Sequence, residues 1–178
     1  MPNPATNRRG FLNYCTDLLL LALGLLLAVP ALAYFFAPLR SRREGNGAGG
    51  VFVDAGPVAD LPGGQWHLRA VEVPRQDAWK KTRFPHAVWV RREGKGDPEI
   101  TVLSSLCPHL GCPIDWHPDQ EQFVCPCHRG TFDPSGRRAA GPPPRSMDRL
   151  AHEVRGGRLW VRWQEFKIGV ADRVPVSG

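Results

Sequence analysis

Two short stretches bring thiols and imidazoles together, Cys107-Pro108-His109-Leu110-Gly111-Cys112 and Cys125-Pro126-Cys127-His128. The first carries Cys and His as C-x-H, the second as C-x-x-H, and each holds one further Cys. Thiolates and imidazoles on two separate loops make a four-ligand metal site with two ligands per loop. Cys107 and Cys125 would hold one iron of a 2Fe–2S cluster, and His109 and His128 the other. Two neutral imidazoles in place of two thiolates raise the reduction potential of such a centre. The alternative occupant is structural zinc, which also accepts Cys₂His₂ in a tetrahedron. Zinc spacings usually keep Cys with Cys and His with His, whereas each loop here mixes the two. Pro108, Pro126 and Gly111 fit tight turns that aim side chains inward.

CPHLGC together with CPCHRG resembles the Rieske iron–sulfur proteins, in the branch found in cytochrome bc and bf complexes. Rieske oxygenases and their ferredoxins share C-x-H and C-x-x-H but generally lack the extra Cys pair. Cys112 and Cys127, one per loop, are accordingly expected to clip the loops together as a disulfide. The resemblance implies an electron carrier whose partners are a quinol, a cytochrome b subunit and a c-type cytochrome. His128, with His109 beside it, would face the quinol and accept an electron coupled to a proton. A proline-rich loop covers the cluster in the family, and Gly141-Pro142-Pro143-Pro144 occupies the corresponding place; its plain reading is a surface turn. Proline in such a run cannot lie in a central strand.

The chain departs from the family pattern just after His128. High-potential members carry a Ser and a Tyr whose hydroxyls bond a bridging sulfide and a cysteine sulfur. Gly130 and Phe132 fill those positions here, and neither has a hydroxyl, although Thr131 offers a substitute donor. Rieske potentials respond to hydrogen bonds at the sulfurs, so the departure implies a low potential matched to menaquinol rather than ubiquinol or plastoquinol.

The elements that must position this site follow from the rest of the chain. Residues 18–39 carry no charge, long enough at about 1.5 Å per residue to cross a hydrocarbon layer of ~30 Å as a transmembrane helix. Pro30 should kink it locally. Before it, residues 1–17 contain Arg8-Arg9-Gly10-Phe11-Leu12, close to a twin-arginine export signal, an address read by a receptor. Such an address suits a protein that folds around its cluster before crossing. Ala31-Leu32-Ala33 looks like a cleavage site, but the apolar run continues through Tyr34, Phe35 and Phe36, so an uncleaved anchor is expected. Two Arg precede the span and three follow it, slightly against a cytoplasmic N-terminus. The export signal decides the orientation: N-terminus inside a bacterial cytoplasmic membrane, head on the periplasmic face. Residues 40–50 are read as a glycine-rich hinge, whose last seven residues, Glu44 to Gly50, reach at most about 25 Å when extended.

The formal charge of +6 does not point to nucleic acid. Five basic residues lie beside the apolar segment, and from residue 51 onward 18 basic residues face 15 acidic ones. The head, 51–178, reads as short strands at 65–73, 87–92, 100–106, 122–124, 149–154 and 158–163, bounded by Gly, Pro or Asp. The expected fold is mainly β: an antiparallel β-sandwich with a cluster-binding subdomain over about 104–145, tethered by one N-terminal helix. All six Trp lie in the head and are expected to fill its core. His67, His86, His117 and His152 lack motif partners and are read as surface or packing residues. The fifth cysteine, Cys15, stands alone just before the apolar segment, near the start of the helix expected there. No nucleophile–base set and no phosphate-cradling loop occurs, so the chemistry lies in the cluster. The expected function is the Rieske subunit of a quinol–cytochrome c oxidoreductase, catalytic only within that complex. The alternative is the small electron-relay subunit of a periplasmic molybdenum oxidase such as arsenite oxidase.

Overall fold

The computed structural model describes residues 8–44, 50–77, 80–93 and 99–176. The chain forms two compact units, Met1–Glu44 and Gly45–Gly178. The first contains one helix, α1, Arg8–Glu44, longer at both ends than the apolar run. Residues 8–17 lack a helix breaker other than Gly10, and the Thr16 hydroxyl is absorbed by donating to the Leu12 carbonyl at 2.9 Å. Helical assignment continues through Pro30. Leucines are exposed all round α1, Leu19 at 71% and Leu26 at 70%, and a helix apolar on every side suits a lipid surroundings rather than a protein core. The stretch Arg8–Phe36 is long and apolar enough to cross a membrane.

The second unit is built from three antiparallel sheets. Strands β1 (Val51–Pro57), β9 (His152–Arg155) and β10 (Arg158–Trp163) form the first, in the order β1-β10-β9. Strands β2 (Trp66–Asp77), β3 (Lys80–Arg92) and β4 (Ile100–Ser104) form the second. Strands β5 (Asp115–His117), β6 (Gln122–Cys125), β7 (Gly130–Phe132) and β8 (Arg138–Ala140) form the third.

The period of two along a strand sends alternate side chains to opposite faces, and the second sheet uses both. Val71, Val73, Val88, Val90, Ile100 and Val102 pack with Val53, Ala55, Leu159, Val161 and Trp163 of the first sheet. Trp66, Trp89 and Leu103 face the other way, against Ile114, Phe123, Phe132 and Met147. The second core is largely aromatic: Phe123 lies 5.1 Å from Trp66, 5.6 Å from Trp89 and 4.7 Å from Trp116 by ring centroids. The expected sandwich is therefore present, and its middle sheet carries a further layer that supports the candidate site. The indole N–H groups of its two buried tryptophans are satisfied, Trp89 Nε1 on the Ile114 carbonyl at 2.8 Å and Trp66 Nε1 on the Pro134 carbonyl at 3.1 Å.

The strand boundaries depart from the sequence expectation at β4, which ends at Ser104 rather than 106, at β9, which begins at His152 rather than 149, and most of all at the hairpin of the second sheet. β2 runs on through Pro74 and β3 begins well before Ala87, so the hairpin includes Pro74 and Pro85. β4 pairs only with residues from Val88 onward, and β2 is an edge strand. A proline at either place forfeits no ladder bond to a third strand. β1, β5, β7 and β8 were not expected; all but β1 are only three residues long, and β1 is interrupted by a bulge between Asp54 and Pro57.

Candidate metal centre

The first loop leaves β4 and closes on itself. The Cys107 N–H donates to the Cys112 carbonyl and the Gly111 N–H to the Cys107 carbonyl, both at 2.8 Å. Gly111 takes the positive φ of 76° that this turn requires. Just outside it, the Ile114 N–H donates to the Ser105 carbonyl, while the Ser105 hydroxyl holds the Ala87 carbonyl at 2.8 Å. Cys107 and Pro108 are buried, His109 is half-buried and Leu110 is exposed. The second loop is the turn between β6 and β7, with Cys125 paired opposite Gly130. Cys125 is buried, whereas Pro126, Cys127, His128 and Arg129 are exposed. Arg129 has φ 52°, a left-handed backbone uncommon for a side chain of its size.

A disulfide joins Cys112 to Cys127 and so ties the loops together. It brings the His109 and His128 rings edge to face with centroids 5.0 Å apart. Beneath them the free thiols of Cys107 and Cys125 are neighbours. Burial pushes the Cys107 thiol up to about 11; the backbone N–H groups of His109 and Leu110 oppose the rise, and the adjacent Cys125 side chain adds to it. The site thus sorts its donors into a buried sulfur pair and an outer imidazole pair.

A model of the Rieske [2Fe-2S] domain matches residues 55–154, more than half of the 178 residues. The chain belongs to that family. It is similar to the menaquinol:cytochrome c reductase iron-sulfur subunit of Geobacillus thermodenitrificans, 34% identical over 162 residues covering 86% of this chain and 89% of that one. It is also similar to the cytochrome b6-f complex iron-sulfur subunit 2 of Trichormus variabilis, 30% identical over 164 residues covering 92% of this chain and 89% of that one. Among solved structures, the cyanobacterial plasma membrane Rieske protein PetC3 from Synechocystis PCC 6803 aligns with a TM-score of 0.42 and 27% identity, over 62% of this chain and 99% of that one.

The cofactor of this Rieske chain is a 2Fe–2S cluster, and the donor set fits it. Burial disfavours the Cys107 thiolate, and a metal bound at the sulfur pair would offset that cost by displacing protons. Two N–H groups already face the Cys107 sulfur, as a thiolate requires.

The stretch Gly141-Pro142-Pro143-Pro144 packs on the second loop. Pro143 is buried, and the backbone at Gly141 abuts Arg129 and Gly130 so closely that a Cβ there would lie 2.8 Å from the Gly130 Cα and 2.9 Å from the Arg129 carbonyl oxygen. Gly141 also adopts φ 91°, so space and backbone both call for glycine. Phe132 is fully buried in the aromatic core. The four remaining histidines lie apart from the centre: His86 stacks on Trp163 at 4.5 Å, His67 and His152 are half-buried in strands, and His117 is exposed. Trp66, Trp89 and Trp163 are buried, Trp116 and Trp160 half-buried; Trp79 lies outside the described residues. Cys15 is free in α1. Of the expected hinge, the helix takes 40–44 and Gly50 packs against Trp163 with φ 64°, while 45–49 lie outside the described residues.

Sequence reasoning missed the segment that follows β10. Its Gly169 N–H donates to the Pro108 carbonyl at 2.8 Å, supporting the first loop from outside. Arg145 holds this segment, donating to the Lys167 carbonyl at 3.0 Å and the Val170 carbonyl at 2.7 Å, while its fork grips Asp148 at 3.1 and 2.8 Å. Asp148 is buried and its backbone carbonyl accepts from the Ser104 N–H. An Arg-x-x-Asp spacing directly after a proline run was the available signal.

Proposed function

We propose that this chain is the membrane-anchored Rieske subunit of a quinol–cytochrome c oxidoreductase, that menaquinol is its donor, and that it is catalytic only within that complex. The observation that carries the reading is the split of donors, with two thiols buried and two imidazoles at the outer edge of loops clipped by a disulfide. Cys107 and Cys125 would hold one iron, and His109 and His128 the other. When bound, the cluster supplies one-electron redox capacity.

The chain's own residues do the rest. Cys107 and Cys125, walled by the aromatic core, keep water from the inner side. His128, exposed, and His109, half-buried, present the ring nitrogens that are not ligands. There a quinol hydroxyl is held by a hydrogen bond and gives up its proton. The disulfide and the proline loop, Gly141 to Pro144, hold the second loop against the first and cover the third side. Gly130 and Phe132 bring no hydroxyl to the sulfurs, which supports a low potential and menaquinol. Helix α1 is the anchor in a bacterial cytoplasmic membrane, with the N-terminus inside, the twin-arginine stretch as its address and the head outside. A head that travels between a cytochrome b subunit and a c-type cytochrome is what the glycine-rich hinge expected over 40–50 would serve; its residues 45–49 lie outside the described residues.

Affinity purification of the tagged full chain from detergent-solubilised membranes tests this. Cytochrome b should copurify, together with menaquinol-driven reduction of the cluster. A molybdopterin protein in place of cytochrome b would overturn the assignment, and reduction by ubiquinol alone would overturn the choice of donor.

A further inference from the structure

We propose that Gly130 and Pro143 are a matched steric pair: the missing side chain at 130 lets the proline loop seat directly on the second loop, and the two positions together set the surroundings of the cluster's cysteine ligands. The inference deepens the Rieske reading and rests on it. It also changes what Gly130 means, since the lost hydroxyl is only half of its consequence.

A Cβ built on Gly130 would lie 2.4 Å from Pro143 Cγ and 2.7 Å from Pro143 Cδ. Ordinary carbon contacts begin near 3.4 Å, so the ring would have to retreat by about 1 Å, the kind of overpacking that a well-filled interior resists. Proline cannot yield by changing rotamer, because its Cδ is bonded to the backbone nitrogen; the loop itself must lift. Gly130 does not have a positive φ, so its backbone is open to any residue and the demand is for space alone.

The loop has little freedom to lift. Its first residue, Gly141, meets the Gly130 and Arg129 backbone at the second bare contact described above. The Gly141 carbonyl is held by the Arg138 guanidinium at 2.7 Å, and Arg145, just past the prolines, is fixed on Asp148. Movement at Pro143 is also felt at a ligand. Cys125 pairs with Gly130 across β6 and β7, and its Cβ is 3.8 Å from the place where the Gly130 Cβ would sit. With Pro143 cut back to alanine, Cγ and Cδ are gone, and the nearest neighbour becomes the Cys125 Cβ at 3.8 Å, an ordinary distance.

The test is a double-mutant cycle on the full chain in detergent: wild type, Gly130→Ala, Pro143→Ala and the double variant. Cluster loss under a fixed oxidant is followed by visible circular dichroism, and the midpoint by redox titration of the electron paramagnetic resonance signal. Gly130→Ala alone should speed cluster loss about tenfold and move the midpoint, while Pro143→Ala alone stays within about threefold of wild type. The double variant should match Pro143→Ala, because residues in contact couple and distant ones add. Equal penalties for Gly130→Ala in both backgrounds overturn the pairing. If Gly130→Ala does not accumulate, the comparison of Pro143→Ala with the double variant decides: equal retention supports the pair, and loss in the double variant overturns it. A wild-type chain without any 2Fe–2S signal overturns the Rieske reading and the pairing with it, whereas an additive cycle on a loaded wild type overturns the pairing alone.

Discussion

The two loops that carry the Cys and His pairs are similar in sequence and are held in place differently. The first is closed by its own backbone bonds, with Cys107 and Pro108 buried and the post-β10 segment donating to Pro108 from outside. The second is a hairpin tip, exposed from Pro126 to Arg129, and is kept in shape by the ladder at its base, the disulfide and the proline loop. The difference separates two requirements that one loop could not meet alone. Burial supplies a rigid, dry side for the sulfurs, and exposure leaves an imidazole within reach of a partner.

Removing a ligand should abolish the distinction altogether. Cys107→Ser in the buried loop and His128→Ala in the exposed one are both expected to eliminate the Rieske electron paramagnetic resonance signal, however different their effects on the protein. A surviving signal in either would remove that residue from the ligand set.

Next in size is the buried loop's outer support. Arg145→Met removes the bidentate partner of buried Asp148 and leaves it only Arg173, whose Nε is 3.7 Å away, at a cost of about 3 kcal/mol, read by denaturant unfolding. Hydrogen exchange should rise at the amides of Gly111 and Gly169. If instead only residues 127–130 respond, the segment after β10 does not serve the first loop.

The disulfide should matter chiefly to the exposed loop. Cys112 and Cys127 are 15 residues apart, and closing a loop of that length restrains the unfolded chain by about 3 kcal/mol. The doubly substituted Cys112→Ala/Cys127→Ala chain should still assemble a cluster but lose it faster, with exchange rising more at 127–130 than at 107–111. Equal rises would show that the disulfide, and not burial, orders both loops.

The smallest effect concerns the turn beyond β7. Burial pushes the Asp133 carboxyl up, but hydrogen bonds from the Ser135 hydroxyl, the Arg137 N–H and guanidinium, and the Ser135 N–H outweigh it and hold the group down at about 2. A folded value below the ordinary 3.8 means stability that is present above about pH 4 and lost as pH falls toward 2. The carboxylate is 29% exposed, so the solvent-discounted magnitude is of order 1–2 kcal/mol. Urea unfolding between pH 2 and 5 should show a slope that Asp133→Asn flattens. An unchanged slope would mean that the base of the exposed hairpin does not depend on this turn.

The centre was legible because its chemistry is local. Four donor residues, two extra cysteines and the prolines lie within two short segments, and the apolar run was equally plain because a membrane demands an unbroken length. The long hairpin was truncated in sequence at Pro74 and Pro85, since whether a proline breaks a strand depends on which neighbour it would have bonded. The three-residue strands of the third sheet carry too few residues to show a period of two.

By itself, then, the sequence determined the ligand set to be expected, the disulfide partners, the anchor and the β class, each through residue types and spacings that act over a few positions. Tertiary structure decided what surrounds the centre. Only packing shows that Gly130 is bare because Pro143 occupies the space beside it. Only packing shows that Arg145 fastens a segment more than twenty residues away while Gly169 of that segment supports the first loop. Such contacts depend on which surfaces the folded chain brings together, and no short-range pattern in the sequence records that.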